Sequence, residues 1–175
     1  MDILLLIVGL GLILAGANFL TDGSAAVAQR FRVPEFIIGL TIVAVGTSTP
    51  ELVVSVLSAA AGNSESVIAI TLVAGGTSLP ELASSVVSLL KGKSEMALGN
   101  VIGSNIANIL LILGVSATIR PLTMGGITTT DILMVVLSSL LLLLTAFTFR
   151  RKQIDRWEGA IFLMIYVAYI WYLIR

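Results

Sequence analysis

Residues 35–62 read EFIIGLTIVAVGTSTPELVVSVLSAAAG, and residues 65–92 read ESVIAITLVAGGTSLPELASSVVSLLKG. The two stretches share 15 identities in 28 positions at a spacing of 30. An apolar composition explains the shared Val and Ile. It does not explain a shared G-T-S-x-P-E-L with Ser at matched offsets of four and seven after the Glu. Each stretch is long and apolar enough to cross a bilayer, which takes about 20 such residues. Consecutive spans run in opposite directions, so the two repeats are inverted relative to one another. Opposed repeats meeting near the midplane are the architecture of many secondary transporters.

The rest of the chain agrees with a membrane setting. It has 175 residues, of which 57% are hydrophobic and 11% charged. Soluble domains carry about a quarter charged residues, and a mean hydropathy of +1.07 points the same way. The net charge is zero, which offers nothing to nucleic acid. There is no Cys and no His. That removes disulfides, thiolate chemistry, the commonest general base and the commonest transition-metal ligand. An intramembrane hydrolase would also need a Lys within a span to activate a Ser, and none is present.

Six apolar segments fit a membrane span, roughly 3–20, 35–61, 66–90, 96–118, 128–149 and 157–174. The first lacks a basic leader and is read as a retained helix that can continue through Ser24 to Gln29. The whole of 1–175 is then a single all-α transmembrane domain. Eight of the ten Lys and Arg fall in the first, third and fifth connections, around Arg30, Lys91 and Arg150. Positive loops stay cytoplasmic. The expected arrangement is a multi-pass protein of the cell membrane with both termini outside.

Glu51 and Glu81 are the two charged residues deep within the spans. A carboxylate in hydrocarbon costs a few kcal/mol or more, so by default it marks a function. The alternative is a structural carboxylate, protonated or hydrogen-bonded to a neighbouring helix. The preceding Pro sharpens the functional reading. Pro50 and Pro80 have no N–H to offer the carbonyls of Gly46 and Gly76, and they loosen those of Thr47 and Thr77. Such carbonyls are tolerated in a membrane where they line a polar cavity. Ser48 and Ser78 add hydroxyls. Hard cations such as Ca²⁺ take 6–8 oxygens of this kind.

Ser55 and Ser58, like Ser85 and Ser88, continue on one helix face below each Glu. They serve either a polar cavity or interhelical packing. The fourth span, GNVIGSNIANILLILG, carries Asn100, Ser104 and Asn108 at every fourth position, with Asn105 beside them. Its Gly99 and Gly103 permit close helix approach.

Together G-T-S-x-P-E-L and G-N-x-x-G-S-N-I-x-N resemble the alpha-repeat signature of the cation/calcium exchanger superfamily. The likeness is greatest to its prokaryotic sodium/calcium exchangers. The resemblance implies ten helices in two inverted halves, and antiport of Ca²⁺ against Na⁺ by alternating access, with no resident cofactor. It implies Glu51 and Glu81 as central calcium ligands and carbonyls from Thr47 and Thr77. Ser48, Ser78, Ser104 and Asn108 would complete the calcium and sodium sites.

The chain departs from that pattern in two respects. Only 65–119 forms a complete alpha-repeat. The repeat helix 35–62 lacks its partner, with an apparent junction near 63–66, as if the first two helices were joined to the last four. A transport-inactive fragment that binds cations is therefore an alternative, and a homodimer is one way to supply the missing wall. Asn108 stands where some relatives carry an acid. Two carboxylates balance one Ca²⁺ or two protons equally, so a Ca²⁺/H⁺ antiporter is also an alternative.

Overall fold

The computed structural model describes residues 2–61, 76–121, 128–148 and 155–174. All regular elements among them are helical. The junction near 63–66, the first half of the third expected span, and Arg150, Arg151 and Lys152 lie outside the described residues. The chain divides into two units, 1–124 and 125–175.

In the first unit, α1 runs Asp2–Phe31, through Gln29 as expected. It closes with Arg32 in the left-handed region at φ 54°. The N–H of Val33 then reaches back to the carbonyl of Ala28 at 3.0 Å. This is a Schellman stop, which satisfies a carbonyl that the helix end would orphan. Pro34 follows, and the chain turns into α2, Glu35–Ile38. A π turn at Gly39–Val43 leads into α3, Ala44–Thr47. The helix breaks at Ser48, and α4, Thr49–Ala61, departs at a bend of 44°. Pro50 causes the break, because its missing N–H and its ring interrupt the ladder.

The second motif has the same backbone turn at its Ser. Ser78 (φ −81°, ψ −3°) matches Ser48 (φ −83°, ψ 3°) within a few degrees. From there α5 runs Leu79–Leu90. It ends on a second Schellman stop, with Gly92 at φ 72° and Lys93 N–H bonded to the Ser88 carbonyl at 2.8 Å. The next helix is α6, Ser94–Ile106, a π turn at Ala107–Ile112 and α7, Leu113–Ile119.

By length and composition, Ile3–Phe31 and Ser94–Ile119 can each cross a membrane, and the bent pair Glu35–Thr47 and Thr49–Ala60 makes a third candidate. The unit is built as a membrane protein builds itself. Large apolar side chains such as Leu4, Leu6 and Phe19 are exposed. The interior holds a small apolar cluster of Ile38, Val43 and Met96 together with many small and polar groups, including Thr21, Thr47, Ser48, Ser84, Ser88, Asn100 and Ser116. Lipid gives apolar side chains no reason to bury, so close packing and hydrogen bonds hold the helices.

Glycine sets the tightest contact. A Cβ on Gly99 would collide with the Phe36 carbonyl oxygen, and one on Gly103 with that of Leu40. Gly39 meets the Met96 carbonyl in the same way. Backbone thus lies on backbone where α6 crosses α2 and the first π turn. Hydroxyls tie the remaining crossings. Ser55 pairs with Ser116 at 2.7 Å, and Thr21 with Ser88 at 3.3 Å. These pairs answer the question left by the matched Ser positions. Ser55 and Ser88 serve interhelical packing.

Within this unit α1 runs parallel to α5, and the first motif's helices run parallel to α6 and α7. Ser88 of α5 is level with Thr21 of α1, and Pro80, two turns earlier, shares a cavity with Ile13, Gly16 and Ala17. Gly99 lies at Phe36, Gly103 at Leu40 and Ser116 at Ser55. The ion pairs Lys91–Asp22 (2.6 Å) and Lys93–Glu35 (2.7 Å) gather at one end of this unit.

The second unit contains α8, Thr129–Thr148, and α9, Arg156–Ile174. The first starts on a reciprocal cap and the second on a one-way cap. The Asp131 carboxylate accepts from Thr128 N–H at 2.8 Å, and the Thr128 hydroxyl accepts from Asp131 N–H at 3.3 Å. At α9, Glu158 accepts from Asp155 N–H at 2.8 Å. Such boxes satisfy otherwise orphaned helix donors. Tyr169 donates to Asp131 at 2.7 Å, which places the end of α9 beside the start of α8.

Candidate cation site

The two helix breaks meet. Ser48, at the first break, is buried and donates its hydroxyl to Glu81 Oε1 of the second motif at 3.0 Å. Thr47 also faces Glu81, more loosely. The relation is reciprocal, since the Thr77 side chain of the second motif faces Glu51 of the first, short of a formed hydrogen bond. Each motif therefore offers its Thr or Ser to the other motif's carboxylate.

Three carboxylate oxygens, both of Glu51 and Oε2 of Glu81, are sealed from solvent without a formed hydrogen bond among the described residues. The amide oxygen of Asn108, on the π turn between α6 and α7, is buried and unpaired in the same sense. Acceptor-only oxygens buried without donors are costly, and each calls for an explanation. No cluster of three Asp or Glu occurs among the described residues. A cation held here would be bound by two carboxylates and neutral oxygens, the donor set of a hard ion.

Other expected residues fall differently. Ser104 is buried on α6 but donates to its own helix, at the Val101 carbonyl, 3.2 Å away. Ser78 is exposed, although its backbone matches that of buried Ser48. Asn105 is exposed and bonds Val101 of its own helix at 3.1 Å. A cavity of about 250 Å³ opens between α1 and both breaks, lined by Ile13, Gly16, Ala17, Leu20, Gly46, Thr47 and Pro80.

One residue of the polar stripe plays a larger part than its place in the sequence suggests. Asn100 is 1% exposed. It accepts from Thr47 at 3.2 Å and donates to Ser85 at 3.0 Å. Its four-residue spacing from Ser104 and Asn108 was the available signal.

These features have counterparts in known proteins. The family model described as sodium/calcium exchanger protein matches residues 1–65 and, separately, 57–175. The chain is 36% identical over 172 residues to the sodium/calcium exchanger MaX1 of Methanosarcina acetivorans, covering 97% of this chain and 39% of that protein. It is 36% identical over 169 residues to an uncharacterized membrane protein of Methanocaldococcus jannaschii, covering 97% and 44%. It is 31% identical over 173 residues to the inner membrane protein YrbG of Escherichia coli, covering 98% and 43%. The chain thus spans about two fifths of the length of the relatives it matches. No solved structure matches it. With the family model matching both parts of the chain, and both motifs gathered at one buried site, this is a membrane protein of the sodium/calcium exchanger family.

Proposed function

We propose that the chain carries the cation site of a secondary antiporter that exchanges Ca²⁺ for Na⁺. Ca²⁺ sits between Glu51 and Glu81 near the bilayer midplane. The carbonyls of Thr47 and Thr77, the hydroxyls of Ser48, Ser78 and Ser104, and the Asn108 amide oxygen complete the calcium and flanking sodium sites. The observation that carries this reading is the crossed arrangement. Ser48 of one motif donates to Glu81 of the other, while three buried carboxylate oxygens lack a donor. In hydrocarbon such oxygens call for a cation or a proton.

Two carboxylates neutralise one Ca²⁺ or two Na⁺, so the loads compete for the same oxygens. Competition at one site reached alternately from each side couples the two fluxes. The parallel packing of α1 with α5, and of the first motif's helices with α6 and α7, fits inverted repeats on alternating spans, while six spans and external termini rest on the apolar segments and the charge pattern of the sequence. The cavity between α1 and the two breaks supports α1 as the element that moves against the site. Exposed Ser78 marks the side on which a further wall would sit, supplied by a second copy or by the remaining length of an exchanger. The same two carboxylates could carry protons instead, which makes a Ca²⁺/H⁺ antiporter the second reading.

The test is calcium-45 uptake into proteoliposomes, with and without an outward sodium gradient, for wild type and Glu51→Gln. Sodium-driven uptake that the mutant loses supports exchange. Uptake driven by a proton gradient and indifferent to sodium selects the second reading. Calcium binding by calorimetry without any uptake identifies a transport-inactive binding unit. Wild-type calcium affinity in Glu51→Gln would sink the site assignment.

A further inference from the structure

Asn100 touches both motif helices without touching either carboxylate. Its Oδ1 accepts from Thr47 Oγ1 of the first motif at 3.2 Å. Its Nδ2 donates to Ser85 Oγ, one turn beyond Glu81, at 3.0 Å, and to the backbone carbonyl of Glu81 at a longer 3.4 Å. The residue is buried, and its neighbours on α6 hold it against the first motif's helix. Gly99 and Gly103 bring that backbone onto Phe36, Leu40 and Ala44. The primary amide suits the position chemically. It presents one acceptor oxygen and two N–H donors, whereas a carboxylate has no donor and a hydroxyl has one. The acceptor side is spent on one motif and both donors on the other.

We propose that Asn100 is a positioning residue that sets the separation of the two motifs, and so the size of the cation that Glu51 and Glu81 accept. The proposal rests on the reading of those two Glu as ligands. Holding the Thr47 hydroxyl fixes the turn whose carbonyl is proposed as a ligand. Holding the Glu81 carbonyl and Ser85 fixes the turn from which the Glu81 carboxylate projects. Calcium takes oxygens at about 2.3–2.6 Å, and Ba²⁺ needs longer distances. A site that loses its spacer relaxes, so it loses Ca²⁺ affinity faster than Ba²⁺ affinity. A residue that merely supported folding would lower both affinities by the same factor.

The experiment is calorimetric titration of the purified full chain in detergent with Ca²⁺ and, separately, Ba²⁺. The variants are Glu81→Gln, Asn100→Ala and Ser85→Ala. Removing a partner that orients a metal ligand costs about ten- to a hundredfold in affinity. Asn100→Ala should lose Ca²⁺ affinity within that range, with a smaller loss for Ba²⁺ and a Ca²⁺/Ba²⁺ ratio moved toward one. Ser85→Ala, which removes one of the three bonds and keeps the amide, should move the ratio in the same direction by less. It carries the test if Asn100→Ala fails to elute as a folded protein. An unchanged ratio in the folded variants overturns the proposal while leaving the carboxylate site standing. Wild-type Ca²⁺ binding that survives Glu81→Gln, or a wild-type chain that binds neither cation, overturns the site reading and this proposal with it.

Discussion

Gly103→Ala is the sharpest test of how the helices are held. A Cβ built on Gly103 lies 2.7 Å from Ala44 Cβ and 2.8 Å from the Leu40 carbonyl carbon, and closer still to the Leu40 oxygen. Carbon atoms in good contact sit about 3.5–4.0 Å apart. The blocking atoms at Leu40 are backbone, which no rotamer change can clear, so α6 must move off the first motif's helix by about 1 Å. The Thr47–Asn100 hydrogen bond, 3.2 Å at present, lies one turn away on the same crossing. Stretched by that amount it passes the limit of about 3.5 Å for a useful bond. Overpacking of this kind costs about 1–3 kcal/mol, and a lost buried bond adds about 1 kcal/mol. The expected destabilisation is about 2–4 kcal/mol. The control is Gly114→Ala in α7, where an added Cβ meets nothing within 4 Å. That change should be neutral or stabilising by up to about 1 kcal/mol, because Ala is the better helix former. Both variants would be unfolded in detergent by heat and by denaturant, alongside Ca²⁺ titration. If Gly103→Ala unfolds with Gly114→Ala and keeps wild-type Ca²⁺ affinity, the backbone contact does not hold the site together.

Three further outcomes follow from the same geometry. In a double-mutant cycle, Ser55→Ala and Ser116→Ala should show a coupling near 0.6 kcal/mol, the average for interhelical bonds in a membrane protein, and independent effects would mean that the 2.7 Å pair is not an energetic contact. Among the ion pairs, Asp22→Asn should cost less than about 1 kcal/mol because the pair is solvated. Glu35→Gln should cost more, since the Lys93–Glu35 side chains are less exposed, at 20% and 31% against 28% and 60% for Lys91–Asp22. The chain has no native Cys, so single cysteines report topology cleanly. A membrane-impermeant maleimide added to intact cells should label Arg120→Cys and spare Gln29→Cys, and the opposite pattern would reverse the proposed orientation.

How far the sequence could be read depended on the kind of signal. The breaks at Ser48 and Ser78 were readable because Pro acts locally, through its own missing N–H and ring. The close approach of α6 was readable from Gly99 and Gly103, since an absent side chain means the same thing in any partner's presence. The Schellman stop at Gly92 is also local, whereas Arg32 takes the same left-handed position without a residue type that announces it. What could not be read was partnership. Ser55, Ser85 and Ser88 share one pattern, yet they pair with Ser116, Asn100 and Thr21, which lie on α7, α6 and α1. A hydroxyl spacing gives the face it occupies, and the register of the opposing helix decides what it meets. Asn100 illustrates the limit best. The sequence showed an amide in a polar stripe, while its role as the link between the motifs exists only after three helices have packed.

The contrast between Ser48 and Ser78 carries the argument further. Their backbones agree within a few degrees, and each precedes a Pro-Glu pair by two residues. Local sequence therefore produces the same break twice. The environments differ because Ser48 is packed against the helices that carry Glu81 and Asn100, whereas Ser78 is exposed. A pair of equivalent motifs has been built into an asymmetric surround. If both carboxylates bind one cation, the two halves of its coordination shell cannot be equally rigid. The half containing Thr47 and Ser48 is held by Asn100 and by backbone contact at Gly103. In the second motif Ser78 itself is exposed. The affinity of the chain by itself should therefore respond more to the loss of the Ser48 hydroxyl than to the loss of the Ser78 hydroxyl. Ser48→Ala should weaken Ca²⁺ binding more than Ser78→Ala in the isolated chain. Equal losses from the two changes would mean that Ser78 is already engaged, and that the site is complete without a further wall.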